Sequence, residues 1–200
     1  MAKNTVLTLK KKVDEGGKVT MVTSYDYTMA ALVEEAGIDM ILVGDSLGMT
    51  MMGYDSTLPV TMDDMVHHTR CVTRACNDTF VVGDMPFGSY QTDIPTAVAN
   101  AARLMKEGRC QAVKLEGGVT VCEQIRAMTQ AGIPVVGHIG LTPQSVNAFG
   151  GFKVQGKSVE AAKQLVEDAL AIEAAGAFSI VLECVPADLA TYVTEQLSSA

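Results

Sequence analysis

The sequence predicts an α/β protein, a (β/α) barrel built on a parallel sheet, and three observations predict it. A helix-like segment that closes on Gly or Asn, then a short apolar run that stops at a polar residue, recurs along the chain. The instances are EEAGIDMILVGDS, RACNDTFVVGDMP, MKEGRCQAVKLEGG, TQAGIPVVGHIG and EAAGAFSIVLECVP, after a first strand in KVTMVTSYDY. The runs MILVG, FVVG, AVKL, PVVG and SIVL are continuously apolar, as strands are when helices cover one face and packed core the other. No Gly-x-Gly-x-x-Gly follows an early strand and no Walker sequence is present, which argues against a dinucleotide or P-loop fold.

The helices are expected to stop at Gly37, Gly108, Gly132 and Gly176, because a residue without Cβ suits the left-handed position after a helix, with Asn77 as the usual substitute. Ser158 is the expected N-cap of a helix whose apolar stripe is Val159, Ala162, Leu165, Val166, Ala169, Leu170 and Ile172. The last helix is expected over Ala187 to Leu197. Six βα units are counted where closure takes eight. Residues 1–200 are therefore expected to form one domain, a (β/α)8 barrel incomplete at its C-terminal side, with exposed apolar interior along an open seam. The Gly-rich stretch 141–157 is expected to be a long loop on the active-site side; a passive connection is the alternative.

Composition narrows the function. A hydrophobic content of 48% supports a sizeable core, and 15 Lys and Arg against 23 Asp and Glu leave a net charge of −8. That balance argues against nucleic acid or an anionic membrane surface as partner. The first residues lack a long apolar signal-type run, and no later window approaches a membrane-spanning length. Five cysteines without C-x-x-C pairing suggest reduced thiols rather than a disulfide scaffold or a zinc site. The expectation is a cytoplasmic enzyme acting on small molecules.

In a parallel barrel, chemistry sits at the C-terminal ends of the strands. Reading each run to its end gives Asp45 and Ser46, Asp84, Lys114 and Glu116, His138, and Glu183. Asp45 and Asp84, in the matching contexts VGDSLG and VGDMPF, offer hard oxygen donors without a His/Cys cluster, which suits Mg²⁺. Each could instead cap a helix. Lys114 and Glu116 lie two apart on one strand and so face the same way. They are read as substrate and metal contacts respectively, with a simple ion pair as the alternative. His138 is read as supporting the ligands, or as a hydrogen-bonded core histidine. Glu183, after the apolar run SIVL, is a general-base candidate if burial raises its pKa and it stays unpaired, or a strand-end residue binding a loop. His67 and His68, adjacent in a helix-like stretch, point in different directions and are read as structural.

At these residues the sequence resembles the ketopantoate hydroxymethyltransferase family. The match runs through TSYDY (23–27), LVGDSLGM (42–49), DSTLPVT (55–61), DMPF (84–87), VKLEGG (113–118), GHIGLTPQS (137–145), GGFKVQG (150–156) and LECVP (182–186). The resemblance implies a phosphoenolpyruvate/pyruvate-type barrel, Mg²⁺ at Asp45, Asp84 and Glu116, oxo-acid contacts from Asp45, Ser46, Asp84 and Lys114, and Glu183 as proton acceptor. It implies transfer of a hydroxymethyl group from 5,10-methylenetetrahydrofolate to 3-methyl-2-oxobutanoate through a Mg-stabilised enolate, in pantothenate biosynthesis. It also implies a cytoplasmic homo-oligomer, a homodecamer when full length. The turn at Arg109 and Cys110, which tends to be rich in small residues in the family, departs from it locally. The competing readings are a Mg-dependent lyase or mutase on another 2-oxo acid, and a non-catalytic truncated chain.

Overall fold

In the computed structural model, which describes residues 3–198, the chain forms two compact units, Met1–Lys114 and Leu115–Ala200. The described residues contain six strands: β1 (Met21–Thr23), β2 (Met40–Val43), β3 (Phe80–Asp84), β4 (Ala112–Glu116), β5 (Val135–Gly140) and β6 (Ser179–Glu183). The described helices are α1 (Val6–Asp14), α2 (Tyr27–Glu35), α3 (Leu47–Thr50), α4 (Met62–Thr73), α5 (Ile94–Arg103), α6 (Cys122–Gln130), α7 (Val146–Phe149), α8 (Val159–Ala174) and α9 (Ala187–Gln196). None is long and apolar enough to cross a membrane.

Within the first unit the strands run parallel in chain order, with Met21 opposite Met40, Met40 opposite Phe80, and Asp84 opposite Lys114. β2, β3 and the start of β4 are continuously apolar because both of their faces are covered. Ile41, Val43, Val81, Val82, Ala112 and Val113 are buried together with Met65 and Val72 of α4 and Ala97 and Ala101 of α5. β1 departs from this pattern. Met21 and Val22 are 39% and 40% exposed, because the strand lies at the edge of this unit's sheet and, among the described residues, pairs only with β2.

In the second unit β5 and β6 pair in parallel, with Val136 opposite Ser179 and Gly140 opposite Glu183. The expected stripe on α8 divides. The Ser158 hydroxyl caps the helix by accepting the Ala161 N–H at 3.2 Å, and Leu165, Ala169 and Ile172 are buried. Val159, Ala162 and Val166 instead line a groove shared with Leu189 and Tyr192 of α9. The stretch 141–157 carries a 3₁₀ turn (Pro143–Ser145) and α7, and Gln155 ties it down by donating its N–H to the Cys184 carbonyl at 2.8 Å.

Two of the five expected helix stops work differently. Gly37, Gly132 and Gly176 have φ of +74°, +81° and +109°, as a left-handed C′ residue should. After α5 the chain widens into a π-helical turn (Leu104–Gly108), and the left-handed residue is Arg109, with φ +68°. Gly108 serves close packing instead, since a Cβ there would stand 2.9 Å from the Thr69 Cγ2. Asn77 has no positive φ; its turn is fastened by the Glu34 carboxylate. Oε1 accepts the N–H of Asn77 (2.9 Å) and Asp78 (2.8 Å), and Oε2 accepts that of Thr79 (3.0 Å).

Candidate active site

The first unit gathers Asp45, Ser46, Asp84 and Lys114. Asp84 closes β3, and Lys114 lies opposite it on β4. Their side chains form a salt bridge of 2.8 Å while only 2% and 3% exposed. The other Asp84 oxygen, Oδ2, accepts the backbone N–H of Asp45 at 3.2 Å. One carboxylate is therefore held by a cation on one side and by the turn after β2 on the other. Asp45 is itself buried, and the next residue, Ser46, shares a 2.9 Å hydrogen bond with the Tyr25 hydroxyl. Tyr25 is in turn fixed by His68, whose Nδ1 donates to the Tyr25 carbonyl at 2.7 Å. His68 is thus structural, and Tyr25 is a site neighbour that strand-end reading passed over. The signal for it was the polar run TSYDY directly after β1.

The second unit gathers Glu116, His138 and Glu183. His138 Nδ1 stands 3.5 Å from Glu116 Oε1, and its Nε2 stands 3.2 Å from Glu183 Oε2. Glu116 is further oriented by the backbone N–H of Gln144, which donates to Oε2 at 3.0 Å. This contact was also missed, because it depends on how GHIGLTPQS turns rather than on the type of its side chains.

Glu183 differs from the buried, unpaired acid expected from its apolar strand. Its side chain is 40% exposed, and it faces His138. Its backbone is firmly placed. Leu141 N–H donates to the Glu183 carbonyl at 2.8 Å, and Gly140 makes room for that approach. With φ +90°, a Cβ on Gly140 would meet the Glu183 carbonyl oxygen at 2.2 Å. The following residue, Cys184, has a left-handed φ of +50°, an uncommon conformation for a non-glycine residue and one that clusters at functional sites.

Among the described residues no three His, Cys, Asp or Glu side chains form a ready-made metal cage. Buried hard oxygen donors on Asp45 and Asp84 nevertheless fit Mg²⁺, which binds through one or two carboxylates and leaves its other positions to water and substrate.

The ketopantoate hydroxymethyltransferase family model matches residues 3–200. The 3-methyl-2-oxobutanoate hydroxymethyltransferase of Clostridium novyi (strain NT) is 62% identical over 196 residues, covering 98% of this chain and 71% of the relative. That of Enterococcus faecalis (strain ATCC 700802 / V583) is 60% identical with the same coverage. Among solved structures, phosphonopyruvate hydrolase complexed with oxalate and Mg²⁺ superposes with a TM-score of 0.71 at 15% identity, covering 98% of this chain and 68% of that one. A 2,3-dimethylmalate lyase of the PEP mutase/isocitrate lyase superfamily gives 0.68 at 19% identity, covering 96% and 68%. These distant likenesses show a shared fold and no more. The match along nearly the whole sequence goes further: the chain belongs to the ketopantoate hydroxymethyltransferase family.

Proposed function

We propose that the chain transfers a hydroxymethyl group to 3-methyl-2-oxobutanoate, with 5,10-methylenetetrahydrofolate as one-carbon donor and Glu183 as the base. The observation that carries this reading is the Glu116–His138–Glu183 arrangement at the strand ends, in a chain about 60% identical to enzymes of that name. In the reaction the C3–H bond of the oxo acid breaks, the two C–N bonds that hold the one-carbon unit to the folate break as its new bonds to C3 and to a water oxygen form, and tetrahydrofolate leaves with its two nitrogens protonated, one proton deriving from C3 and one from water. Glu183 accepts the C3 proton. His138, whose Nε2 stands 3.2 Å from the Glu183 carboxylate, is proposed as a positioning residue for it.

Asp45 and Asp84 are the proposed Mg²⁺ ligands, joined by Glu116 as the resemblance implies; a bound cation would offset negative charge developing on the oxo-acid oxygens. Ser46 and Lys114 are proposed to bind the oxo acid, together with Asp45 and Asp84. Lys114 is suited to this because its cation is already held rigidly by Asp84 and need not reorganise as charge builds up. A lyase or mutase on another 2-oxo acid is disfavoured. The neighbours with those activities are below 20% identity, whereas the hydroxymethyltransferases stand near 60%. Assembly as a homodecamer and a cytoplasmic location are proposed on the resemblance alone.

The test is exchange of the substrate C3 proton with deuterated solvent. Glu183→Gln keeps shape without basicity, so exchange is expected to fall about 10²- to 10⁴-fold, while calorimetry still detects oxo-acid binding. Exchange at the wild-type rate in this variant would remove Glu183 from the role of base.

A further inference from the structure

We propose that a polar pocket in the first unit, at the start of β3 and β4, binds a small phosphoryl-bearing anion carrying two or more negative charges. The pocket has a volume of about 390 Å³, within the range of about 300–1,000 Å³ usual for small-ligand sites. Its walls carry three cations, Lys3, Arg74 and Arg109, and no carboxylate. Each of the three has an exposed side chain, and none makes an ion pair or side-chain hydrogen bond among the described residues. Elsewhere Lys12, Arg103 and Arg126 are neutralised by Asp39, Asp63 and Glu123. In a chain of net charge −8, three uncommitted cations around one concavity form a local field that the composition does not explain.

The lining is also free of competing negative charge. The Glu34 carboxylate, close enough to act on Cys76, is taken up by the N–H groups of Asn77, Asp78 and Thr79. Burial, and then Glu34, push the Cys76 thiol up to about 11, so it enters the pocket wall uncharged at neutral pH. Gln111 uses its Oε1 to accept the Val81 N–H at 2.9 Å, which leaves its amide NH₂ as a donor.

The independent observation is Arg109 itself. It holds the left-handed conformation that glycine adopts freely and other residues adopt at a cost, and its neighbour Gly108 does not take that conformation in its place. Strain retained at a residue whose side chain lines a pocket points to a use for that side chain. Two planar guanidinium groups suit phosphoryl oxygens, which they can bind bidentately, and Lys3 adds a third charge.

The probe is inorganic pyrophosphate, titrated into the whole chain at constant ionic strength and followed by calorimetry and thermal unfolding. The expected result is saturable binding at one site with a rise in Tm, weakened at least 10-fold by Arg74→Gln and by Arg109→Gln. Arg109→Gly is expected to weaken binding likewise while raising the Tm of the chain without pyrophosphate, because glycine relieves the positive φ; lost binding is then not a folding defect. The proposal is overturned if sodium chloride at matched ionic strength produces the same rise in Tm. It is equally overturned if the arginine variants bind as tightly as the wild type, or if citrate binds as tightly as pyrophosphate.

Discussion

Asp84 and Lys114 hold opposite charges 2.8 Å apart where almost no water reaches them, and that isolation sets what each substitution should do. Burying two charges costs several kcal/mol per ion before their attraction returns it, so removing one partner leaves an uncompensated charge and costs about 3–5 kcal/mol. Lys114→Met and Asp84→Leu are each expected to destabilise the chain by about that much, and the double variant by clearly less than their sum. Activity should be lost in all three, so a urea-unfolding cycle alongside the exchange assay separates the structural part of the pair from the chemical part. These two residues, with Asp45, Glu116, His138 and Glu183, were legible as polar ends of apolar runs, because strand ends are where a parallel barrel presents side chains. Tyr25 and Gln144 were not. Tyr25 acts through a hydroxyl aimed at Ser46, and Gln144 through a backbone N–H aimed at Glu116, and loop path rather than residue type brings each there.

At the scale of the elements, the sequence pattern located every strand because both faces of most strands are apolar, yet it misread how the chain turns between α4 and β3. Asn77 is expected to end the helix in a left-handed turn; instead α4 ends on Arg74 in the right-handed region, and the loop that follows is fastened by a carboxylate from α2 that accepts three N–H groups at once. Such a fastening joins residues more than 40 positions apart, which local reading does not reach. Burial alone would raise the Glu34 pKa, but hydrogen bonds from Thr79, Asp78 and Asn77 outweigh it and hold the group below its ordinary value. A carboxyl with a depressed folded pKa adds stability that is complete above the unfolded pKa, about 4.3 for Glu, and is lost as pH falls through the folded value. Glu34→Gln is therefore expected to cost about 1–2 kcal/mol at pH 7. The gap from wild type should close in urea melts at pH 3; an equal gap at both pH values would show that packing, not charge, carries the contribution.

At the scale of the whole molecule, the inventory of possible ligands decides which metal the chain can use. His68 is spent on the Tyr25 carbonyl, His67 meets His68 edge to face, and His138 stands between two carboxylates. The five thiols are free of disulfides, but burial pushes Cys110 up to about 12 and, with Glu34, Cys76 up to about 11, so neither is a thiolate at neutral pH. A soft or borderline metal such as zinc, which takes three or four Cys or His ligands, finds no such set among the described residues. Buried carboxylates remain, and a hard cation that keeps water and substrate in most of its positions is the one they suit. Treating the purified chain with EDTA is accordingly expected to abolish C3-proton exchange of 3-methyl-2-oxobutanoate while leaving the far-ultraviolet circular dichroism unchanged, since the cores of both units are apolar and independent of metal. Mg²⁺ should restore exchange. Ca²⁺ should restore little of it, because its longer bonds and looser coordination place the oxo acid less strictly. If exchange survives exhaustive chelation, or returns with Zn²⁺ but not with Mg²⁺, then Asp45 and Asp84 do not hold the cation proposed for them, and their burial must be explained by packing and hydrogen bonding alone.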